Sequence, residues 1–339
     1  MITLVRLGAL FAVSVGAIAE TLINGAGATF PYPIYSKWFD EYYKKVGQFH
    51  FNYQSIGSGG GIKQVTEGTV DFGATDSPMN EKQLAEFRNK RGIGVLHFPT
   101  VLGADVPVYN LPGIQQPVNF TPEALAGIFL GKVWRWNDPA LTSANPGLNL
   151  PAKDIIVVHR SDGSGTTFVW VDYLCKISPE WASRVGKGTS VRWPLGLGGK
   201  GNEGVSGQVK QTPYAIGYTE LVYAVQTKMS YGRVKNLAGV FVEANLAGVT
   251  AAAAGAAKDM PDDFRVSITN APGKDAYPIA SFTWLLIPEK IMDSSKRKAI
   301  KDFLSWMLAD GQKLAAPLSF APLPPAVIAR ELKAIARIQ

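Results

Sequence analysis

Cysteine is almost missing from this chain of 339 residues, where Cys175 stands alone. One thiol excludes an internal disulfide framework and any cysteine-cluster metal site. It lies in the apolar stretch TTFVWVDYLC and is expected to pack as a small hydrophobe. Histidine is scarce too. His50, His97 and His159 are far apart and show no metal-ligand spacing. Charged residues are 18% of the chain, against about 25% in an average soluble domain. The net charge of +7 is small for this length, so nucleic-acid binding is not expected. There is no G-x-x-x-x-G-K-[ST] loop: Gly131-Lys132 is followed by Val133, and Gly199-Lys200 by Gly201. Ser164 is not in a G-x-S-x-G elbow, because Asp162 and Thr166 hold the outer positions. Paired carboxylates for acid–base work are not evident. No cofactor and no metal are expected.

The chain does hold ample material for cores. It is 46% hydrophobic, which argues against disorder, and its length suggests two domains at about 150 residues each. Residues 1–19, MITLVRLGALFAVSVGAIA, place Arg6 before an apolar run from Leu7 to Ile18 and end in Ala17-Ile18-Ala19. This reads as a cleaved secretory signal with Glu20 as the mature N-terminus. The run is too short for a membrane span, which needs about 20 residues. Without Arg6 the charge falls from +7 to +6. An exported, soluble mature protein is expected.

Beyond residue 20, short apolar runs alternate with amphipathic stretches, the signature of α/β layers. Strands are expected at 49–55, 93–101, 104–110, 154–160 and 279–287. Helices are expected at 31–45, 59–67, 80–89, 121–129, 164–175, 294–309 and 324–336, the last opened by Pro324-Pro325. The Ala-rich stretch 251–257 reads as a plain surface helix.

Three glycine-rich segments lead into helices. Asn24-Gly25-Ala26-Gly27-Ala28-Thr29-Phe30-Pro31 precedes PYPIYSKW, with Pro31 suited to the first helical turn. Gly57-Ser58-Gly59-Gly60-Gly61 follows the strand FNYQS. Asp162-Gly163-Ser164-Gly165-Thr166-Thr167 follows IIVVHR. A helix N-terminus presents unpaired N–H groups and about half a positive charge. Glycine lets an anion approach the backbone, and Ser or Thr adds a hydroxyl donor. One such segment is an ordinary capped helix start; three together point to a convergent anion pocket. Arg160, at a strand end, can offer a bidentate fork to an oxyanion or pair with Asp162, and both roles are compatible. Asp76, in VDFGATDSP, ends another strand and reads equally as a turn or cap residue. Gly196-Leu197-Gly198-Gly199-Lys200-Gly201 fits G-x-G-x-x-G, with Glu220 nineteen residues beyond. A dinucleotide turn must follow a buried strand directly, whereas VRWPL with Pro194 stands here, so this segment is set aside as a cofactor site.

The ordered motifs NGAGATFPYPIYSKW, YQSIGSGGGIKQ, VDFGATDSP, RSDGSGTTF, WPLGLGGKGNEGV, AIGYTE and LSFAPLPPAVI resemble the periplasmic phosphate-binding protein family of bacterial high-affinity phosphate ABC transporters. The resemblance runs from about Leu22 to the end. It implies a two-lobed α/β fold of the type II periplasmic binding proteins, with the ligand cleft between lobes 20–101 plus 277–339 and 102–276. It implies phosphate contacts from Thr29, Phe30 (through its N–H), Ser58, Asp76, Arg160, Ser164, Gly165 and Thr166, with Asp162 pairing Arg160 behind them. Asp76 would accept a hydrogen bond from a protonated phosphate oxygen. One departure is Gly59, where close relatives often carry a second Ser; the segment 81–95 is also longer than in some relatives. The implied partners are inorganic phosphate and the permease–ATPase complex of the inner membrane, with the receptor acting as a monomer in the periplasm. The competing readings are a secreted phosphatase-like enzyme, a receptor for another tetrahedral oxyanion, and a surface or adhesion protein reusing the same fold.

Overall fold

The computed structural model describes residues 20–339. The expected signal segment 1–19 lies outside the described residues. Its strands are β1 (Thr21–Gly27), β2 (Phe49–Ser55), β3 (Phe72–Thr75), β4 (Val95–Tyr109), β5 (Asn119–Phe120), β6 (Ile156–Arg160), β7 (Leu197–Gly199), β8 (Ala215–Glu220), β9 (Ser230–Tyr231), β10 (Arg233–Lys235), β11 (Phe241–Val242) and β12 (Ala280–Pro288). The main sheet runs β2-β1-β3-β12-β4-β8-β6-β7, with β9 also on β4. A small sheet joins β11, β10 and β5.

Two parallel groups flank an antiparallel middle. β1 lies between β2 and β3, parallel to both. β6 lies between β7 and β8, again parallel to both. The middle is β12 and the long β4. From Val95 to Ala104, β4 pairs antiparallel with β12; from Asp105 to Tyr109 it pairs with β8. The expected strands 93–101 and 104–110 are therefore one strand. Leu102 and Gly103 pair with Phe282 and Ser281, and Leu102 also bridges Ala321, so the glycine does not interrupt the ladder. The register shifts between Thr283 and Trp284, opposite the stretch that holds Pro99. A proline, with no N–H to give, is tolerated inside a sheet at such an irregularity.

β12 is buried along its whole length, which is why ASFTWLLIP reads as one continuous apolar run rather than an alternating one. The helix Tyr32–Val46 shows the other period. Ile34, Trp38 and Tyr42, with Tyr35 and Phe39, form its buried face. Phe39 stacks on Phe51 at 5.2 Å and meets Phe303 at the same centroid distance. The buried Trp38 Nε1 donates to the Gly311 carbonyl at 2.7 Å. Pro31 is the cap residue before this helix rather than part of its first turn. On the far side of β4, Trp170 stacks on Tyr218 at 5.0 Å. The Ala-rich stretch belongs to the helix Leu246–Asp259, but it is not a plain surface helix, since Ala252 and Ala253 are buried. Cys175 is half-buried and packs against the core. Among the described residues no helix is long and apolar enough to cross a membrane.

Candidate functional site

In open α/β sheets, ligands collect at the carboxyl ends of parallel strands. Both parallel groups point those ends at the same place. β1 leads to Thr29 and Phe30, β2 to Ser58, and β3 to Asp76. From the other group, β6 ends at Arg160 and leads to Asp162, Ser164, Gly165 and Thr166, while β7 leads to Gly201 and Asn202.

The two sets of ends meet. The Gly59 N–H donates to the Gly163 carbonyl at 2.8 Å. A Cβ on Gly165 would lie 2.3 Å from both Asp76 Oδ2 and Ser58 Oγ, so glycine is needed there for the third segment to press against the second. The same closeness accounts for Gly59. A Cβ there would stand 3.1 Å from the Gly163 Cα, and a serine would have to push the facing backbone away. Ser58, Ser164 and Thr166 are fully enclosed, Asp76 is 1% exposed, and Thr29 and Arg160 are 3% exposed.

Each polar group has defined partners. Ser58 opens the helix Ser58–Glu67. Its Oγ accepts from the Asp76 N–H at 3.1 Å and lies 3.4 Å from Asp76 Oδ2. Thr283 Oγ1, from β12, donates to Asp76 Oδ1 at 2.7 Å. Ser164 caps the helix Gly165–Ile177 by accepting from the Thr167 N–H at 2.9 Å. This leaves the Ser164 hydroxyl hydrogen free to donate, together with the first-turn N–H groups of Gly165 and Thr166. Arg160 pairs with Asp162 through two bonds, Nε to Oδ1 at 2.8 Å and Nη2 to Oδ2 at 2.6 Å. Its Nη1 is buried and has no partner among the described residues. The paired and anion-facing roles of Arg160 are thus compatible in one geometry.

The electrostatics follow from burial. Burial pushes Asp76 up to about 7, against the lowering effects of Thr283, Arg160 and Ser58. For Arg160, burial opposes the charge, but the bonds to Asp162 outweigh it and hold the guanidinium charged. Burial raises Asp162, but Arg160 and backbone N–H groups, that of Gly201 included, together outweigh it and hold it below the usual carboxylate range. Asp105 and Glu220 face each other across β4 and β8. Burial pushes both well above the ordinary carboxyl range.

Three groups at the site escape sequence reasoning. None of Asn202, Tyr223 and Thr283 is given a site role by the sequence reading. Asn202 directly follows the glycine-rich segment set aside as a cofactor motif. Within that segment Leu197–Gly199 is itself a strand, paired with Val158–Arg160, and the Gly201 N–H donates to Asp162 Oδ1 at 3.0 Å. Asn202 Nδ2 donates to Thr29 Oγ1 at 2.7 Å and to Thr166 Oγ1 at 3.1 Å. Tyr223 Oη donates to the Thr29 carbonyl at 2.5 Å.

A mixed, curled sheet with two parallel ends facing an enclosed set of donors defines the periplasmic-binding-protein class, in the type II arrangement. A family model described as a PBP superfamily domain matches residues 14–311. The "Phosphate-binding protein PstS" of Xylella fastidiosa (strain Temecula1) is 48% identical over 307 residues, covering 90% of this chain and 82% of that protein. The protein of the same name from Pasteurella multocida is 46% identical, covering 90% and 87%. The chain belongs to the PstS family of phosphate-binding proteins within that superfamily. Among solved structures, the phosphate-binding protein from Stenotrophomonas maltophilia shares the fold with a TM-score of 0.70 at 19% identity, over 93% of this chain and 94% of that one.

Proposed function

We propose that this chain is a periplasmic receptor that captures inorganic phosphate in the enclosed site and delivers it to an ABC-type importer of the inner membrane. What supports this reading is the clustering, among the described residues, of the buried Arg160 Nη1, the Thr29, Ser58, Ser164 and Thr166 hydroxyls, the helix start at Gly165 and Thr166, and the acid Asp76. Relatives named as phosphate-binding proteins support it, and they do not favour the phosphatase alternative. The ligand contacts would be Thr29, Phe30, Ser58, Asp76, Arg160, Ser164, Gly165 and Thr166, with Asp162 holding Arg160.

A buried oxyanion must regain the hydrogen bonds it loses from water. Arg160, the one guanidinium at the site among the described residues, is already paired with Asp162, so dipoles do most of the binding. Asp76 supplies selectivity. Phosphate keeps at least one proton near neutral pH and can donate it to the carboxylate; sulfate has none and would present lone pairs to lone pairs. The lobes would be 20–101 with 277–339 and 102–276, a division supported by the change of partner along β4 between Ala104 and Asp105. Ligand would favour the closed cleft, because only closure assembles all donors. Export through cleavage after Ala19 and action as a monomer complete the reading.

Titration calorimetry of the purified chain with phosphate, sulfate and arsenate tests it. Phosphate should bind and sulfate should compete poorly; a chain that takes up no phosphate refutes the reading. Arg160→Ala should cost about 2–5 kcal/mol of binding, a loss of roughly thirty- to several-thousand-fold. Unchanged affinity would remove Arg160 from the site.

A further inference from the structure

We infer that Asn202 is a positioning residue that sets the direction of two hydroxyl donors, Thr29 and Thr166, so that both aim their hydrogens at the anion. The inference rests on the phosphate reading above and adds to it a group outside the anion's direct contacts.

Asn202 is fully buried at the start of the helix Gly201–Gln211, and its amide orientation is decided by its neighbours. The Glu220 N–H donates to Asn202 Oδ1 at 3.0 Å. A flipped amide would set NH2 against that N–H, donor against donor, so the nitrogen must face the other way. Its two hydrogens then go to Thr29 Oγ1 at 2.7 Å and Thr166 Oγ1 at 3.1 Å. A hydroxyl carries one hydrogen and two lone pairs. With a lone pair on each oxygen occupied by Asn202, and no other acceptor for either hydroxyl among the described residues, each hydrogen is left to turn toward an anion. Thr29 follows β1 and Thr166 follows β6, so one amide serves a donor from each parallel group. Tyr223 reinforces the first by holding the Thr29 carbonyl. The glycine-rich segment 196–201 thereby gains a role: its last residue ties to Asp162, and the next residue orients the two threonines.

The test separates orientation from simple packing. Phosphate affinity is measured by calorimetry for Asn202→Ala, for the near-isosteric Asn202→Asp, and for Asn202→Ala on a Thr29→Val, Thr166→Val background. Thermal unfolding without phosphate checks that each variant is folded. Two lost hydrogen bonds predict about ten- to hundredfold weaker binding for Asn202→Ala. Asn202→Asp should be weaker still, because a carboxylate accepts the hydroxyl hydrogens and turns both away from the anion. On the double-valine background the alanine substitution should cost less than about twofold, since the groups it acts through are gone. Binding by Asn202→Asp equal to the parent, or a full alanine penalty on the double-valine background, overturns the inference while leaving phosphate binding by the parent intact. A parent that binds no phosphate overturns the functional reading itself and this inference with it.

Discussion

Asp76 shows how much one side chain depends on its enclosure. In water an aspartate would be ionised at pH 7; here burial pushes it up to about 7. Above that value the carboxylate repels a fully ionised anion, and below it the protonated group becomes a donor. Sulfate binding by the parent should therefore strengthen as pH falls from 8 to 6, by at most about tenfold per pH unit, and level off once Asp76 is protonated. Phosphate brings its own proton and should keep a preference that narrows over the same range. In Asp76→Asn the sulfate dependence should be flat and the phosphate-over-sulfate ratio smaller. Competition titrations at several pH values decide the matter; a parent ratio that does not move with pH would contradict the proton-reading role. Asp76 was recognisable as a strand-end acid in VDFGATDSP. Its raised pKa was not, because burial causes it, and residues as distant as Thr283 and Arg160 only partly offset that burial.

At the scale of elements, the same unit recurs: a parallel strand, a glycine-rich turn, a helix opened by a hydroxyl residue. The helices at 58–67 and 165–177 begin next to the positions that turn chemistry indicates, because glycine and serine signals act locally. The antiparallel middle was less legible. By sequence alone this stretch reads as two strands, 93–101 and 104–110, but the partners β12 and then β8 carry one ladder through. Gly165 gives a test at this scale. Gly165 is the first residue of its helix, so in the open cleft of the proposed receptor Gly165→Ala should leave the phosphate-free protein about as stable as the parent. In the closed site its Cβ would lie 2.3 Å from Asp76 and Ser58, so phosphate affinity should drop by about a hundredfold or more. Thermal unfolding and calorimetry together check both halves; tight phosphate binding by this variant would show that the two helix ends need not meet as closely as they do here.

For the whole molecule, the contacts between the two parallel groups matter most. The Gly59–Gly163 backbone bond, the Asn202 bridge and the Tyr223–Thr29 bond all join segments far apart in sequence. If the proposed lobes close on phosphate, small-angle scattering should show a smaller radius of gyration with phosphate than without it. Identical profiles at saturating phosphate would argue against ligand-driven closure. The α/β alternation, the three helix starts, the strand-end positions of Arg160 and Asp76, and the scarcity of thiol and imidazole chemistry are all legible in the order of residues along the chain. These are properties of neighbouring residues, and local physics expresses them. Folding in three dimensions was needed to show that β4 runs as one strand from β12 to β8, that Arg160 keeps Nη1 unpaired among the described residues while bonded to Asp162, and that Asn202 joins two threonines. Each of those depends on burial and on the meeting of groups distant along the chain, which no local pattern records.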